Sequence, residues 1–188
     1  NEDDCYLEEM AAGYSSHKVS FGFKEGNRVR GQEVKRMGTS HIAFGVYLNG
    51  AFHLFRLPLL GKHNAYNALA AIAVGWHLNI DLDTIAKGLM AVETSGRRMA
   101  LREHPAGFTL IDDTYNANLP SMEIALDILV EIGGGGRKIA VLGDMLELGK
   151  ESAKAHKQAG YMVKEKGVDW LITRGNLARQ IGKSAIEA

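Results

Sequence analysis

The sequence predicts an α/β chain in two parts. Residues 1–94 form a β-rich part with two helices, and residues 95–188 form a three-layer unit with a mainly parallel sheet. Three observations predict this. Ile42, Phe44, Val46 and Leu48 alternate up to Asn49-Gly50, and a second apolar run, Ala51 to Leu57, follows. An alanine-rich helical stretch, Ala68 to Val74, comes next. Beyond Thr94, three short apolar runs are each followed by a helical pattern, and alternation at that spacing predicts parallel strands joined by right-handed crossovers.

The first 17 residues open acidic, with Glu2, Asp3, Asp4, Glu8 and Glu9, and carry a short helical pattern through Leu7, Met10 and Ala11 that ends near Gly13. Val19 to Phe23 reads as a strand stopped by Lys24-Glu25-Gly26-Asn27. Asn49-Gly50 predicts a two-residue hairpin turn, because both central positions of that turn need φ > 0. Pro58 and Gly61 break the β pattern, and a helix follows to about His77, favoured by its alanines. Asp81 or Asp83 caps a further helix through Ile85, Leu89 and Met90.

Thr94-Ser95-Gly96 reads as a linker. Met99 to Arg102 and Gly107 to Ile111 are short strands around a turn at Pro105. Strands near Thr109, at Lys138 to Leu142 and at Asp169 to Thr173 alternate with helices near Ser121 to Ile132, Glu151 to Lys166 and Asn176 to Ile186, a Rossmann-like arrangement. The run Gly133 to Gly136 joins a helix to a strand, so it is a connector and not a phosphate-binding loop.

Composition narrows the function. A chain of 188 residues buries roughly 70% of its unfolded surface, so it needs no metal or disulfide to fold. A formal net charge of zero argues against a nucleic-acid partner. The single cysteine, Cys5, forms no internal disulfide and suits a reducing, cytoplasmic compartment. There is no apolar run of about 18 residues, so no membrane insertion is expected. The seven histidines are scattered, and no metal is predicted. There is also no Gly-x-x-x-x-Gly-Lys-Ser/Thr loop.

Two polar loops follow predicted strands, which is where open α/β sheets place their ligands. The first runs Asp112-Asp113-Thr114-Tyr115-Asn116-Ala117-Asn118. One carboxylate there can accept from both hydroxyls of a ribose, and losing such an acceptor costs about 1.5–3 kcal/mol of binding. Strand alternation sends Asp112 and Asp113 opposite ways, so at most one faces a ligand. The plain alternative gives Asn118 to a helix cap and both aspartates to a turn. The second loop runs Gly143 to Gly149, where Asp144 and Glu147 suit an amine, unless Glu147 merely favours the next helix's N-terminus. His156, on that helix, reads as structural.

Asn64 and Asn67 are three apart at a helix start and share a face. Their carboxamides donate and accept together, which suits an edge of adenine; the alternative is an N-cap and an exposed polar residue. Arg97 and Arg98 stand at the junction of the two parts. Either is a solvated cation, or one offers its fork of donors to phosphate oxygens.

Four segments resemble the Mur ligases, the ATP-dependent amide-bond-forming enzymes of peptidoglycan (cell-wall) synthesis. They are Leu60 to Ala71, Gly96-Arg97-Arg98-Met99, Asp112 to Asn118, and Val141 to Gly149 with His156 behind it. Asn1-Glu2-Asp3-Asp4 looks like a further family element. The Asp112 to Asn118 run resembles the branch that adds D-alanyl-D-alanine to UDP-N-acetylmuramoyl-tripeptide through an acyl phosphate. The resemblance implies that residues 1–94 are the end of the central ATP-binding domain and 95–188 a truncated Rossmann-like C-terminal domain. It implies that Asn64 and Asn67 hold adenine, that Arg98 (or Arg97) reaches the ATP phosphates and that Asp113 holds the ribose. Tyr115, Asn116, Asn118, Asp144 and Glu147 would line the substrate side. The family's P-loop, magnesium ligands and modified lysine are expected upstream of a position like Asn1, so the chain alone is expected to be inactive, with ATP and Mg2+ used by a longer parent. Leu119 stands where the family usually has proline, and Pro120 follows, which is expected to move the helix start by one residue. Another amino-acid ligase of the family, or a non-catalytic nucleotide-binding or interaction module, is the alternative.

Overall fold

A computed structural model describes residues 1–14, 17–93 and 96–188. The chain divides into two compact units, 1–93 and 94–188. Thr94 and Ser95 of the expected linker lie outside the described residues.

Unit 1 opens with helix α1 (Cys5–Ala12), capped by the Asp4 side chain. A four-stranded sheet follows, in the order β1 (Phe21–Gly22), β2 (Val29–Met37), β3 (His41–Leu48), β4 (Ala51–Leu57). β1 runs parallel to β2, and the other pairs are antiparallel. The expected hairpin is β3–β4. Its turn residues Asn49 and Gly50 have φ of 51° and 78°, which lets the turn follow the twist of the strands. The strand expected at Val19 to Phe23 is only two residues long. β2 is a full strand that the apolar pattern did not announce, because its second half is mostly exposed.

One face of this sheet carries Ile42, Phe44, Val46 and Phe55. Helix α2 (Lys62–His77) lays Ala65, Leu69 and Ile72 into the same core, and helix α3 (Leu82–Met90) adds Ile85 and Leu89. Small residues set the approach of α2. A Cβ at Gly31 of β2 would lie 2.8 Å from Leu69. Asp81 caps α3 by accepting the Thr84 N–H at 2.8 Å.

Unit 2 begins with an antiparallel pair, β5 (Ala100–His104) and β6 (Phe108–Asp112). Then come α4 (Leu119–Gly133), β7 (Ile139–Gly143), a 3-10 turn at Gly149–Glu151, α5 (Ser152–Glu165), β8 (Trp170–Arg174) and α6 (Arg179–Glu187). β7 and β8 are parallel neighbours, and the chain between them passes through α5, as the strand–helix alternation implied. The three predicted strands do not share one hydrogen-bonded sheet. Among the described residues, β6 pairs with β5 alone, and β7 with β8 alone. Residues of β6, α4 and β7 together line a cavity of about 720 Å³. The core of unit 2 joins Met122 and Leu126 of α4, Ala140 of β7, Ala155, Ala159 and Val163 of α5, and Ile181 of α6.

Candidate functional site

In unit 1, Asn64 is the third residue of α2 and not its cap. The N-cap is Gly61, with φ 88° and no side-chain cap bond. The Asn64 Nδ2 donates to the Leu60 carbonyl at 2.7 Å, and its Oδ1 accepts from Asn67 Nδ2 at 3.3 Å. The relay runs along the helix face that the three-residue spacing predicted. Asn64 is half-buried and Asn67 exposed. The relay fixes which end of the Asn67 amide is oxygen and leaves that Oδ1 and one N–H for a ligand.

In unit 2, β6 delivers the first polar loop. Asp112 closes the strand. Its Oδ1 accepts from the Thr114 hydroxyl at 2.7 Å, and Arg102 of β5 lies 3.7 Å from its Oδ2. The Thr114 hydroxyl bond, helped by the nearby Arg102 and Arg97 charges and opposed by burial, holds this carboxyl below its usual range. Asp113 takes a different partner: its Oδ1 accepts the Met99 N–H at 2.9 Å. The two carboxylates take different partners, yet both border one cavity, so strand alternation does not choose between them.

The Met99 bond joins two motifs that stand far apart in the sequence. The Tyr115 N–H also donates to the Arg97 carbonyl at 3.1 Å, and the Arg98 guanidinium stacks 3.9 Å over the Tyr115 ring. Stacking orders a long side chain and leaves its edge donors available. Arg97 and Arg98 are both exposed. Met99 itself adopts φ 50°, an uncommon conformation for a side-chain-bearing residue.

The second loop is held from behind. The Met145 N–H donates to Nε2 of the fully buried His156 at 3.0 Å. Asp144 Oδ1 accepts the Ala178 N–H at 2.6 Å, at the start of α6. The Asp144 carboxylate also lies against Gly175, where a Cβ would come within 2.1 Å of it. So one oxygen of Asp144 is committed to the fold. Glu147 is exposed, in a left-handed conformation with φ 61°.

Asp112, Asp113, Tyr115 and Asn116 line the cavity from the first loop, and Gly143, Asp144 and Leu146 line it from the second. Asn118 and Glu147 are not part of that lining. Asn118 is the N-cap of α4, its Oδ1 accepting the Ser121 N–H at 2.9 Å while the Ser121 hydroxyl accepts the Asn118 N–H at 3.1 Å. Leu119 is therefore the first helical residue and Pro120 the second, a place that tolerates proline's missing N–H. Met99, Arg102 and Thr114 were not singled out from the sequence. The Arg102–Asp112 pair is diagonal across an antiparallel ladder and becomes visible only once the register is known.

Comparison with known proteins fits these motifs to one family. The profile of the Mur ligase middle domain matches residues 1–75, and that of the Mur ligase glutamate ligase domain matches residues 97–188. The chain belongs to the Mur ligase family. It is 34% identical over 174 residues to the UDP-N-acetylmuramoyl-tripeptide–D-alanyl-D-alanine ligase of Bacillus subtilis (strain 168), covering 93% of this chain and 37% of that protein. It is 39% identical over 183 residues to the enzyme of that name from Buchnera aphidicola subsp. Baizongia pistaciae, covering 96% and 39%. A crystal structure of MurF from Acinetobacter baumannii superposes with a TM-score of 0.86 at 31% identity, covering 96% of this chain and 39% of that one. MurF ligase from Thermotoga maritima in complex with ADP shares the fold, with a TM-score of 0.80 at 24% identity. The chain thus spans about two fifths of the length of these Mur ligases. Among the described residues, no helix is long and apolar enough to cross a membrane.

Proposed function

We propose that this chain is part of a longer ATP-dependent ligase that adds D-alanyl-D-alanine to UDP-N-acetylmuramoyl-tripeptide in the cytoplasm. The observation that carries the reading is the junction of Arg97, Arg98 and Met99 with Asp113 and Tyr115. It places a guanidinium and a carboxylate on one braced surface, and that pair suits a phosphate and a ribose. The kinship with ligases of this printed activity supports the substrate assignment.

In this reading the Asn67 amide, held in orientation by Asn64, reads the adenine edge. Asp113 accepts from the ribose hydroxyls through Oδ2, since Oδ1 is engaged by Met99. Arg98 neutralises phosphate charge, and Arg97 is the alternative for that task. Tyr115 and Asn116 line the substrate side with Asp144, whose second oxygen suits the dipeptide ammonium. Asn118 and Glu147 stand beyond the cavity lining, Asn118 as the cap of α4, and any contact they make on the substrate side is at its margin. ATP supplies the phosphoryl group that turns the tripeptide's terminal carboxylate into an acyl phosphate, which the dipeptide amine attacks. These residues contribute orientation and charge neutralisation, which account for most of the catalysis in such transfers. The P-loop, the Mg2+ ligands and the modified lysine belong to the rest of the ligase.

The test is phosphate release from ATP by the longer protein, with UDP-N-acetylmuramoyl-tripeptide, with and without D-alanyl-D-alanine. Release that requires the dipeptide is expected, and Asp113→Ala should raise the KM for ATP while leaving the fold intact. Release driven by a single amino acid would shift the assignment to another ligase of the family. No release with any acceptor would leave a nucleotide-binding module.

A further inference from the structure

We infer that Asp3 and Tyr66 are positioning residues for the base-reading turn of α2. The inference rests on the proposed adenine contact of Asn64 and Asn67.

That turn lacks the usual devices that hold a helix start. Its N-cap is Gly61, which has no capping side chain, and there is no acidic residue in the first turn. A helix start in that condition has no side-chain acceptor for its first N–H groups. Yet the two carboxamides must sit still, because a base edge is read through hydrogen bonds with little tolerance in length or angle.

A contact 63 residues away in sequence supplies the missing constraint. The Tyr66 hydroxyl donates to Asp3 Oδ2 at 2.7 Å. Tyr66 lies between Asn64 and Asn67, so fixing its ring tip fixes the rotation of the turn that carries both. Asp3 is itself anchored: it accepts from the Phe23 N–H at 2.6 Å, the Lys24 N–H at 3.0 Å and the Asn27 Nδ2 at 3.2 Å. One carboxylate therefore ties the first residues, the connection after β1 and the start of α2 into a single body. Burial raises the Asp3 pKa, but these four hydrogen bonds together outweigh it and keep the carboxyl below its ordinary range.

Packing reinforces the tie. The Phe23 and Tyr66 rings meet edge to face, with centroids 4.7 Å apart and an interplanar angle of 69°. Lys62, the first residue of α2, places its ammonium 4.8 Å over the Phe23 ring. Gly22 leaves room for the carboxylate, since a Cβ there would lie 2.3 Å from Asp3 Oδ1.

The experiment uses the longer protein and compares wild type with Tyr66→Phe and Asp3→Asn. Tyr66→Phe removes one oxygen and keeps the ring against Phe23, so it folds even if the Asp3 variant does not. The readouts are kcat and KM for ATP and GTP, and calorimetric affinities for ADP and GDP. Tyr66→Phe is expected to raise the KM for ATP about tenfold, within the range that small misplacements of a binding group produce. The kcat at saturating ATP and the KM for the peptide substrates should hold, and the ATP-over-GTP and ADP-over-GDP preferences should fall by a similar factor, because the phosphate contacts are common to all. A merely structural role would lower the activity with both nucleotides alike. Unchanged nucleotide preference in both variants overturns the inference while leaving the adenine reading in place. A wild-type protein that does not distinguish ADP from GDP removes the adenine reading, and the inference with it.

Discussion

His156 holds Met145 by a side-chain-to-backbone bond: its Nε2 accepts the Met145 N–H at 3.0 Å, while its Nδ1–H donates to the Ser152 carbonyl at 2.7 Å. That pair of bonds fixes the tautomer and leaves no ring nitrogen for a ligand. The ring and the Met145 side chain are both buried. His156→Ala strands the Met145 N–H and leaves a cavity, so a loss of about 2–4 kcal/mol is expected. Urea unfolding of the chain, with amide exchange across α5 reporting on unit 2, measures it. A loss below about 0.5 kcal/mol, the usual size for an unimportant surface change, would mean that the loop holds itself.

Helices α5 and α6 cross at Gly160. A Cβ there would stand 2.4 Å from the Ile181 carbonyl oxygen and 2.7 Å from the Ser184 Cβ. The first neighbour is helix backbone, which cannot rotate aside. Gly160→Ala therefore pushes α6 off α5, although alanine is the better helix former. Overpacking of this kind costs about 1–3 kcal/mol. Thermal unfolding should show a lowered midpoint for unit 2, and a raised midpoint would show that α6 accommodates the methyl by sliding.

Much of this architecture was legible in the sequence because local chemistry decides it. Asn49-Gly50 specified the β3–β4 turn through its positive φ values, and the α3 cap is Asp81, one of the two aspartates the sequence offered for it. β2 was hidden because its outer half faces solvent and carries no alternating apolar set, and its Gly31 is explained by the approach of Leu69 and of the Phe23 ring, which the sequence does not show. The pairing of β6 with β5, and not with β7, is a matter of strand order, which periodicity does not encode. At the candidate site the residue types were visible in two loops. The braces were not, because the Met99 N–H on Asp113, the Ala178 N–H on Asp144 and the Asp3 carboxylate on Tyr66 are all long-range bonds.

Asn118 separates a cap from a ligand contact. Its Oδ1 accepts the Ser121 N–H, and the Ser121 hydroxyl returns the bond to its own N–H. Asn118→Ala should cost about 1 kcal/mol of unit 2 stability, the usual loss for a removed cap. Asn118→Asp keeps the accepting oxygen and places a negative charge at the helix N-terminus, so stability should be retained or slightly raised. If ligase activity in the longer protein follows stability through both variants, Asn118 serves the helix alone. Activity lost in a fully stable Asn118→Asp variant would return its amide nitrogen to the substrate side.

The Asp3–Tyr66 contact also makes unit 1 sensitive to alkali. Burial first, then the hydrogen bond to Asp3 and its charge, push the Tyr66 phenol up from 10.0 to about 12. The bound form is the neutral phenol, and deprotonation sets a phenolate beside a carboxylate. Because the folded pKa lies above the unfolded one, the stabilisation is complete below pH 10.0 and is lost as pH rises through about 12. Asp3 works at the other end: its pKa is lowered in the folded state, so its contribution holds above the unfolded value of 3.8 and fades as pH falls through the lower folded one. Phenolate absorbance should show a late step from Tyr66, with unit 1 loosening over the same interval. Tyr66→Phe should remove the late step and flatten the alkaline limb. A late step that survives the substitution would assign the shift to another tyrosine and break the link between this hydroxyl and the alkaline loss.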